Sequence, residues 1–265
     1  PGLMAHASPI NSVGDALHIR KQIMDRVEQA ELEADAATRE RLLSFAVIGS
    51  GQRACATAEE ICTMLETARV SYPVLRDQGW RVYLFEDTQT AFSDFEAGIR
   101  ERRDRELAKA GVILGRERQV AAVTPDSVVF TDGSRQPVGF VVNSCFMLPR
   151  AVIDDQTVNW PPETEADLRL RGWPHIWATT ALPPAVANGQ PRRYLTTADW
   201  MDLGKAAGQN AWAASQDFET RPFHYRKRWI LPFSMGRRSL CQVVGWVVGG
   251  LPAWFLARIS NLATM

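Results

Sequence analysis

The chain has 265 residues, 46% of them hydrophobic and 23% charged, enough for one large or two ordinary domains around a buried core and incompatible with wholesale disorder. Thirty basic side chains balance thirty acidic ones, which leaves no electrostatic footprint for nucleic acid. Four cysteines (Cys55, Cys62, Cys145, Cys241) and four histidines (His6, His18, His175, His224) are scattered without CxxC or metal-ligand spacing, which argues against a disulfide scaffold or a metal centre. The chain opens at Pro1 rather than at a methionine, so an N-terminal piece is expected to precede it.

Ser12 and Asp15 have capping-box spacing and predict a helix start, with Leu17, Ile23, Met24, Val27 and Ala30 as its buried stripe. A charged, Ala-rich stretch from Glu31 to Arg41 follows. The apolar run Leu42 to Ile48, stopped by Gly49, reads as a strand buried on both faces of a parallel sheet. The next helix carries Ala54, Ala58, Ile61, Cys62 and Leu65 at helical spacing. Arg81 to Glu86 reads as the second strand. Ser93 through Ala110 reads as a helix with Phe95 and Ile99 inward and a strongly charged outer face. From Gly111 the period changes to two, with short strands at Val112-Ile113, Gln119–Ala122, Val128–Thr131 and Phe140–Val142 and a turn at Asp132-Gly133. Strand–helix–strand–helix followed by a small hairpin is an α/β order with right-handed crossovers.

The sharpest chemical signal is Gly49-Ser50-Gly51-Gln52-Arg53-Ala54, placed between a buried strand and a helix. The first glycine makes the tight turn, the second lets the backbone approach a pyrophosphate, and the third position needs only a small residue, which Ala54 supplies. The helix N-terminus offers unpaired amides and a positive dipole end to phosphates. Glu86, ending the second strand, is placed to accept from the adenosine ribose and favours NADH over NADPH, because a 2′-phosphate would meet a carboxylate. The distance from Gly51 to Glu86 exceeds the usual ~20 residues, so an extra excursion is expected between Arg69 and Trp80. The bland rival is a tight strand–helix turn of any α/β protein.

Eight of the nine tryptophans lie at or after Trp160. Indoles gather at membrane boundaries, at partner interfaces and in cores, and composition alone leaves these open. From Ser239 to Ala257 no charged residue occurs, and Arg237, Arg238 and Arg258 flank the run. Gly245, Gly249, Gly250 and Pro252 oppose one continuous helix and predict a strand-like stretch (Leu240–Val248), then a short helix with Trp254, Phe255, Ile259 and Leu262 on its apolar side. With Arg226-Lys227-Arg228 upstream this reads as a monotopic contact with an anionic leaflet. A buried hairpin and a dimer interface are the alternatives.

Taken together, these motifs resemble the second half of the type II NADH:quinone oxidoreductases, single-chain flavoproteins. The resemblance covers nearly the whole chain. It rests on Gly14-Asp15-Ala16-Leu17, the strand–loop–helix from Leu43 to Ile61, Phe85-Glu86, the hairpin Val128 to Gly133, Gly204-Lys205 with Asn210, and Gly236-Arg237 before the apolar tail. It implies a two-dinucleotide-binding-domain, Rossmann-like fold lacking the first flavin-domain segment. The implied divisions are a flavin-domain remnant and connecting helix (1–40), an NADH-binding domain (41–123), a hairpin with the second part of the flavin domain (124–220) and a membrane-associating segment (221–265). The implied activity is hydride transfer from NADH to FAD and on to a membrane quinone, on the cytoplasmic face of the inner membrane. Gly49, Ser50, Gly51, Ala54 and Glu86 would hold NADH. Ala198 and Trp200 would lie at the quinone approach, and Trp246, Trp254 and Phe255 would meet the membrane. A homodimer is compatible.

The chain departs from the family pattern at four places. Ala56 stands for the usual Glu after the fingerprint, Cys145-Phe146 for Ala-Gly, Thr180-Ala181 for the Gly-Asp that touches the flavin, and Ala198 for a Gln. Lost acceptors and added bulk disfavour FAD by ~1–3 kcal/mol per unsatisfied group. A flavin-less, non-catalytic NADH-binding peripheral membrane protein is therefore the alternative. A short-chain dehydrogenase is disfavoured, since none of the four tyrosines has a lysine four residues on.

Overall fold

A computed structural model of the chain describes residues 1–86, 97–116, 118–145, 151–153, 156–158, 163–179, 197–224, 230–233, 235, 239–243 and 246–262. After the one-turn α1 (Leu3–His6) and β1 (Ser8–Pro9), the helix α2 (Val13–Leu32) starts on a complete Ser12/Asp15 capping box. Its buried stripe is Ile19, Ile23, Val27 and Ala30, whereas Leu17, expected inside, is exposed. At about 100° per residue, Leu17 lies some 200° round the helix from Ile19.

The short α3 (Ala36–Leu42) takes the first residue of the apolar run, Leu43 is its C-cap, and β2 (Ser44–Ile48) takes the other five. Then come α4 (Gly51–Ala68), α5 (Pro73–Asp77), β3 (Arg81–Phe85), α6 (Ala97–Lys109) and β4 (Val112–Leu114). The small α5 fills the excursion expected between Arg69 and Trp80. Phe95 and Ser93 lie outside the described residues, while Ile99 is buried as predicted.

The hairpin region is β5 (Val120–Val123), β6 (Ser127–Phe130) and β7 (Arg135–Pro137), an antiparallel sheet turned at Asp132, whose carboxylate accepts from the Ser134 amide. β8 (Phe140–Asn143) leaves that sheet and returns to the first one. The result is a five-stranded parallel sheet in the order β1-β8-β2-β3-β4. β2 sits between β8 and β3, so the chain reverses direction across the sheet beside β2. That is the topological switch point at which open α/β sheets bind ligands.

Period-two alternation splits the core. Phe45 and Val47 of β2 face α2 and α4, in a cluster with Ile23, Val27, Ala58, Ile61 and Leu65. Ala46 and Ile48 face the hairpin sheet, in a second cluster with Phe85, Val128, Phe130 and Val141. Residues 13–32 thus share one core with the fingerprint strand.

Farther on, β9 (Ala151–Ile153) and β10 (Gln156–Val158) pair antiparallel, and α7 (Thr197–Ser215) packs Leu203 and Ala207 on Leu168. Asn210 of α7 is buried and saturated by backbone: it donates to the carbonyls of Asp167 (2.8 Å) and Arg221 (2.9 Å) and accepts from the Arg221 amide. The stretch Leu240–Val248, expected as one strand-like piece, is split into β12 (Leu240–Val243) and β13 (Trp246–Gly249), which form a meander with the preceding β11 (Ile230–Phe233) and are followed by α8 (Leu251–Leu262). Phe233, Met235 and Leu240 join the main core, and the Arg102 guanidinium of α6 donates to the Val247 carbonyl of β13 at 3.2 Å.

Candidate functional site

The carboxyl ends of β2, β3 and β8 converge on the fingerprint loop. Gly49 holds φ +148°, and a Cβ there would stand 2.7 Å from the Ser144 carbonyl carbon at the end of β8. Backbone passes backbone too closely for any side chain. Gly51 also has positive φ, +86°, yet a Cβ there would meet nothing within 4 Å. One glycine serves packing and the other leaves open space at the first turn of α4.

Ser50 is the N-cap of α4, but its hydroxyl makes no capping hydrogen bond. The first-turn amides of an 18-residue helix are therefore left uncapped by that side chain, at the positive end of the helix dipole. Ala54 is fully buried where helix and strand touch. Arg53, on the same turn, donates to the carbonyls of Ser144 (3.1 Å) and Cys145 (3.2 Å) and places a cation beside the loop. The Ser144 hydroxyl is buried with no hydrogen-bond partner.

Glu86 stands one residue past β3, at this same edge. Both of its oxygens accept from Arg103 of α6, Oε1 from Nη1 at 2.8 Å and Oε2 from Nη2 at 2.9 Å. Arg103 also reaches Asp104, which in turn pairs with Arg116. Burial pushes the Glu86 carboxyl above the ordinary carboxylate range, and Arg103 pulls it back only in part. Sequence reading assigned the charges of α6 to an outer face and missed Arg103. The signal was present: Ile99, Arg103 and Leu107 recur every four residues, and all three are buried.

On the other side of α4, an apolar groove of about 940 Å³ runs between α2 and α4, lined by Ile19, Ile23, Ala56, Ile61 and Met64, with Arg20 and Arg53 at its rim. Ala56 contributes a methyl where a carboxylate was sought.

The structure brings Gly49, Ser50, Gly51, Ala54 and Glu86 together. Ala198 and Trp200 sit elsewhere, on α7, the first buried and the second exposed. Trp246, Trp254 and Phe255 sit on β13 and α8, where Trp246 and Phe255 are exposed and Trp254 is half-buried beneath Arg258. Phe146, Thr180 and Ala181 lie outside the described residues, while Cys145 is half-buried with its thiol directed at the Ile48 carbonyl.

No protein-family model matches the sequence. The fold agrees with that of NDH2 from Plasmodium falciparum, solved in complex with NADH, at a TM-score of 0.70 and 12% identity, over 100% of this chain and 71% of that one. Sequence comparison gives the type II NADH:quinone oxidoreductase Ndh of Mycobacterium tuberculosis, 24% identical over 97% of this chain. The chain is similar to type II NADH:quinone oxidoreductases along nearly its whole length. It spans 58% of the length of that relative. An external alternative NAD(P)H-ubiquinone oxidoreductase of Arabidopsis thaliana is 28% identical over 67% of this chain and 32% of its own. The architecture, an α/β fold around a parallel sheet, is the Rossmann-like arrangement that the resemblance implied.

Proposed function

We propose that this chain binds NADH at the β2–α4 loop and acts in electron transfer from NADH to a membrane quinone. The observation that carries the reading is the uncapped N-terminus of α4 opening on the empty space at Gly51. The first-turn amides donate to the coenzyme's diphosphate, and the helix dipole adds to them. Gly49 keeps the loop pressed against β8, which fixes the amides in place. Glu86 accepts from a ribose hydroxyl through the lone pairs that Arg103 leaves.

FAD is the cofactor implied by the resemblance. The partnerless Ser144 hydroxyl, with Arg53 beside it, fits a further polar, anionic group laid over the ends of β2 and β8. Bound there, FAD would supply the ring that accepts hydride and passes electrons on. What the protein contributes is position: a rigid edge and a dipole. Trp200 would face the quinone. Membrane contact falls to Trp246, Trp254, Phe255 and their neighbours on the C-terminal module, on the cytoplasmic face of the inner membrane. Among the described residues no helix is long and apolar enough to cross a membrane.

The methyl of Ala56 favours a second reading, an NADH-binding protein without flavin. One preparation tests both. Purified full-length protein is expected to show flavin absorbance that NADH bleaches and quinone restores. A colourless sample that still gives heat with NADH leaves the flavin-less reading, and absence of heat removes both.

A further inference from the structure

We infer that Arg103 sets which nicotinamide coenzyme this edge accepts: by neutralising Glu86 it lets the ribose end take a 2′-phosphorylated coenzyme as well as NADH. This rests on the coenzyme reading above and departs from the sequence expectation that Glu86 selects NADH. A solitary carboxylate at the end of the second strand does two things at once, accepting from the ribose hydroxyls and repelling a phosphate. Here the two are separated. The guanidinium covers both oxygens in a two-bond fork at 2.8 and 2.9 Å, with side-chain exposures of only 7% for Arg103 and 14% for Glu86. Each oxygen keeps a lone pair for a hydroxyl, but the charge a phosphate would feel is cancelled.

The wider group has no net charge either. Arg103 also holds Asp104, and Asp104 holds the largely exposed Arg116, so two cations balance two carboxylates. Arg103 occupies a position that the Ile99–Leu107 stripe would ordinarily give to an apolar residue. A guanidinium there is tolerable only when paired, which ties it to Glu86. An arginine stays charged at any physiological pH, so the cancellation is permanent.

The test is calorimetric titration of the full chain with NADH and NADPH in turn. In wild type the two dissociation constants are expected within about tenfold of each other. R103Q uncovers Glu86 and should weaken NADPH relative to NADH by about tenfold or more. The double variant E86Q/R103Q, neutral like the native pair, should restore the wild-type ratio. E86Q alone, which leaves the arginine to meet the phosphate, should shift the ratio toward NADPH by about tenfold and serves if R103Q does not fold. A wild-type preference for NADH above about a hundredfold, or a ratio that none of the folded variants moves, overturns the role of Arg103 and leaves the coenzyme site standing. Heat from neither coenzyme with wild type removes the site itself, and this inference with it.

Discussion

Two glycines two residues apart answer to different physics, and substitution separates them. In Gly49→Ala the new methyl runs into the Ser144 carbonyl carbon at 2.7 Å, and both partners are backbone. Neither can move without disturbing the β2–β8 pairing, so we expect a loss of about 2–4 kcal/mol in urea unfolding. In Gly51→Ala the methyl has room, and the cost is only that of a positive φ, about 1–2 kcal/mol. That methyl would instead fill the space where a diphosphate approaches, so NADH affinity should fall by at least about tenfold. Equal stability of the two variants would refute the division of labour. The glycines themselves were legible in the sequence, because a fingerprint dictates which backbone positions must be bare. Arg103 is not legible in this way, because a charge-rich helix ordinarily presents its charges to water.

At the level of elements, α4 shows what burial does to chemistry. Its inner face places Cys55 and Cys62 in the core, and burial pushes both thiols up to about 12, with Glu86 adding to the effect at Cys55 and Glu59 at Cys62. In the unfolded chain these thiols ionise near their ordinary value of 9.0. Between those limits the unfolded state has released protons that the native state still holds, so stability falls as pH rises. The stabilisation is fully present below about pH 9 and is lost progressively toward pH 12. From pH 8 to 10, wild type should lose about 3 kcal/mol more than a C55A/C62A variant in chemical unfolding. Parallel profiles for the two proteins would count against the buried thiols. Element type was largely readable in this half of the chain. A capping box at Ser12, a doubly buried strand at β2 and a two-residue period after Gly111 are local signals. The return of β8 to the parallel sheet was not readable, since three apolar residues in a row pair equally well with a hairpin or with β2. Leu17 was misplaced through an error of helical phase rather than of element.

At the scale of the whole molecule, the C-terminal module presents an apolar face. α8 buries Ala253 against the meander and turns Leu251, Phe255 and Ile259 outward, at 80%, 62% and 49% exposure. The spacing of four residues makes them one stripe, and Trp246 on β13 is exposed at 80%. Water gains nothing from such a stripe. Burying each side chain is worth about 1.5–3 kcal/mol, so even partial insertion of three would hold the module at a bilayer surface. Arg258, stacked on Trp254 at 4.5 Å, sets a cation among them. The module is not a loose appendage, because Arg102 of α6 holds Val247 while the next residue, Arg103, holds Glu86. One helix therefore touches both the C-terminal module and Glu86 at the end of β3. Sedimentation with vesicles containing about 30% anionic lipid should capture the wild-type chain, less so as salt rises. The variant L251S/F255S/I259S should lose at least about tenfold in partitioning, because serine keeps the helix exposed but removes the apolar area. NADH titration should be unchanged in that variant, since its substitutions fall on exposed positions of α8 and none belongs to the β2–α4 loop or to the Glu86–Arg103 pair. Undiminished vesicle binding by a folded triple variant would mean that the stripe meets something other than lipid.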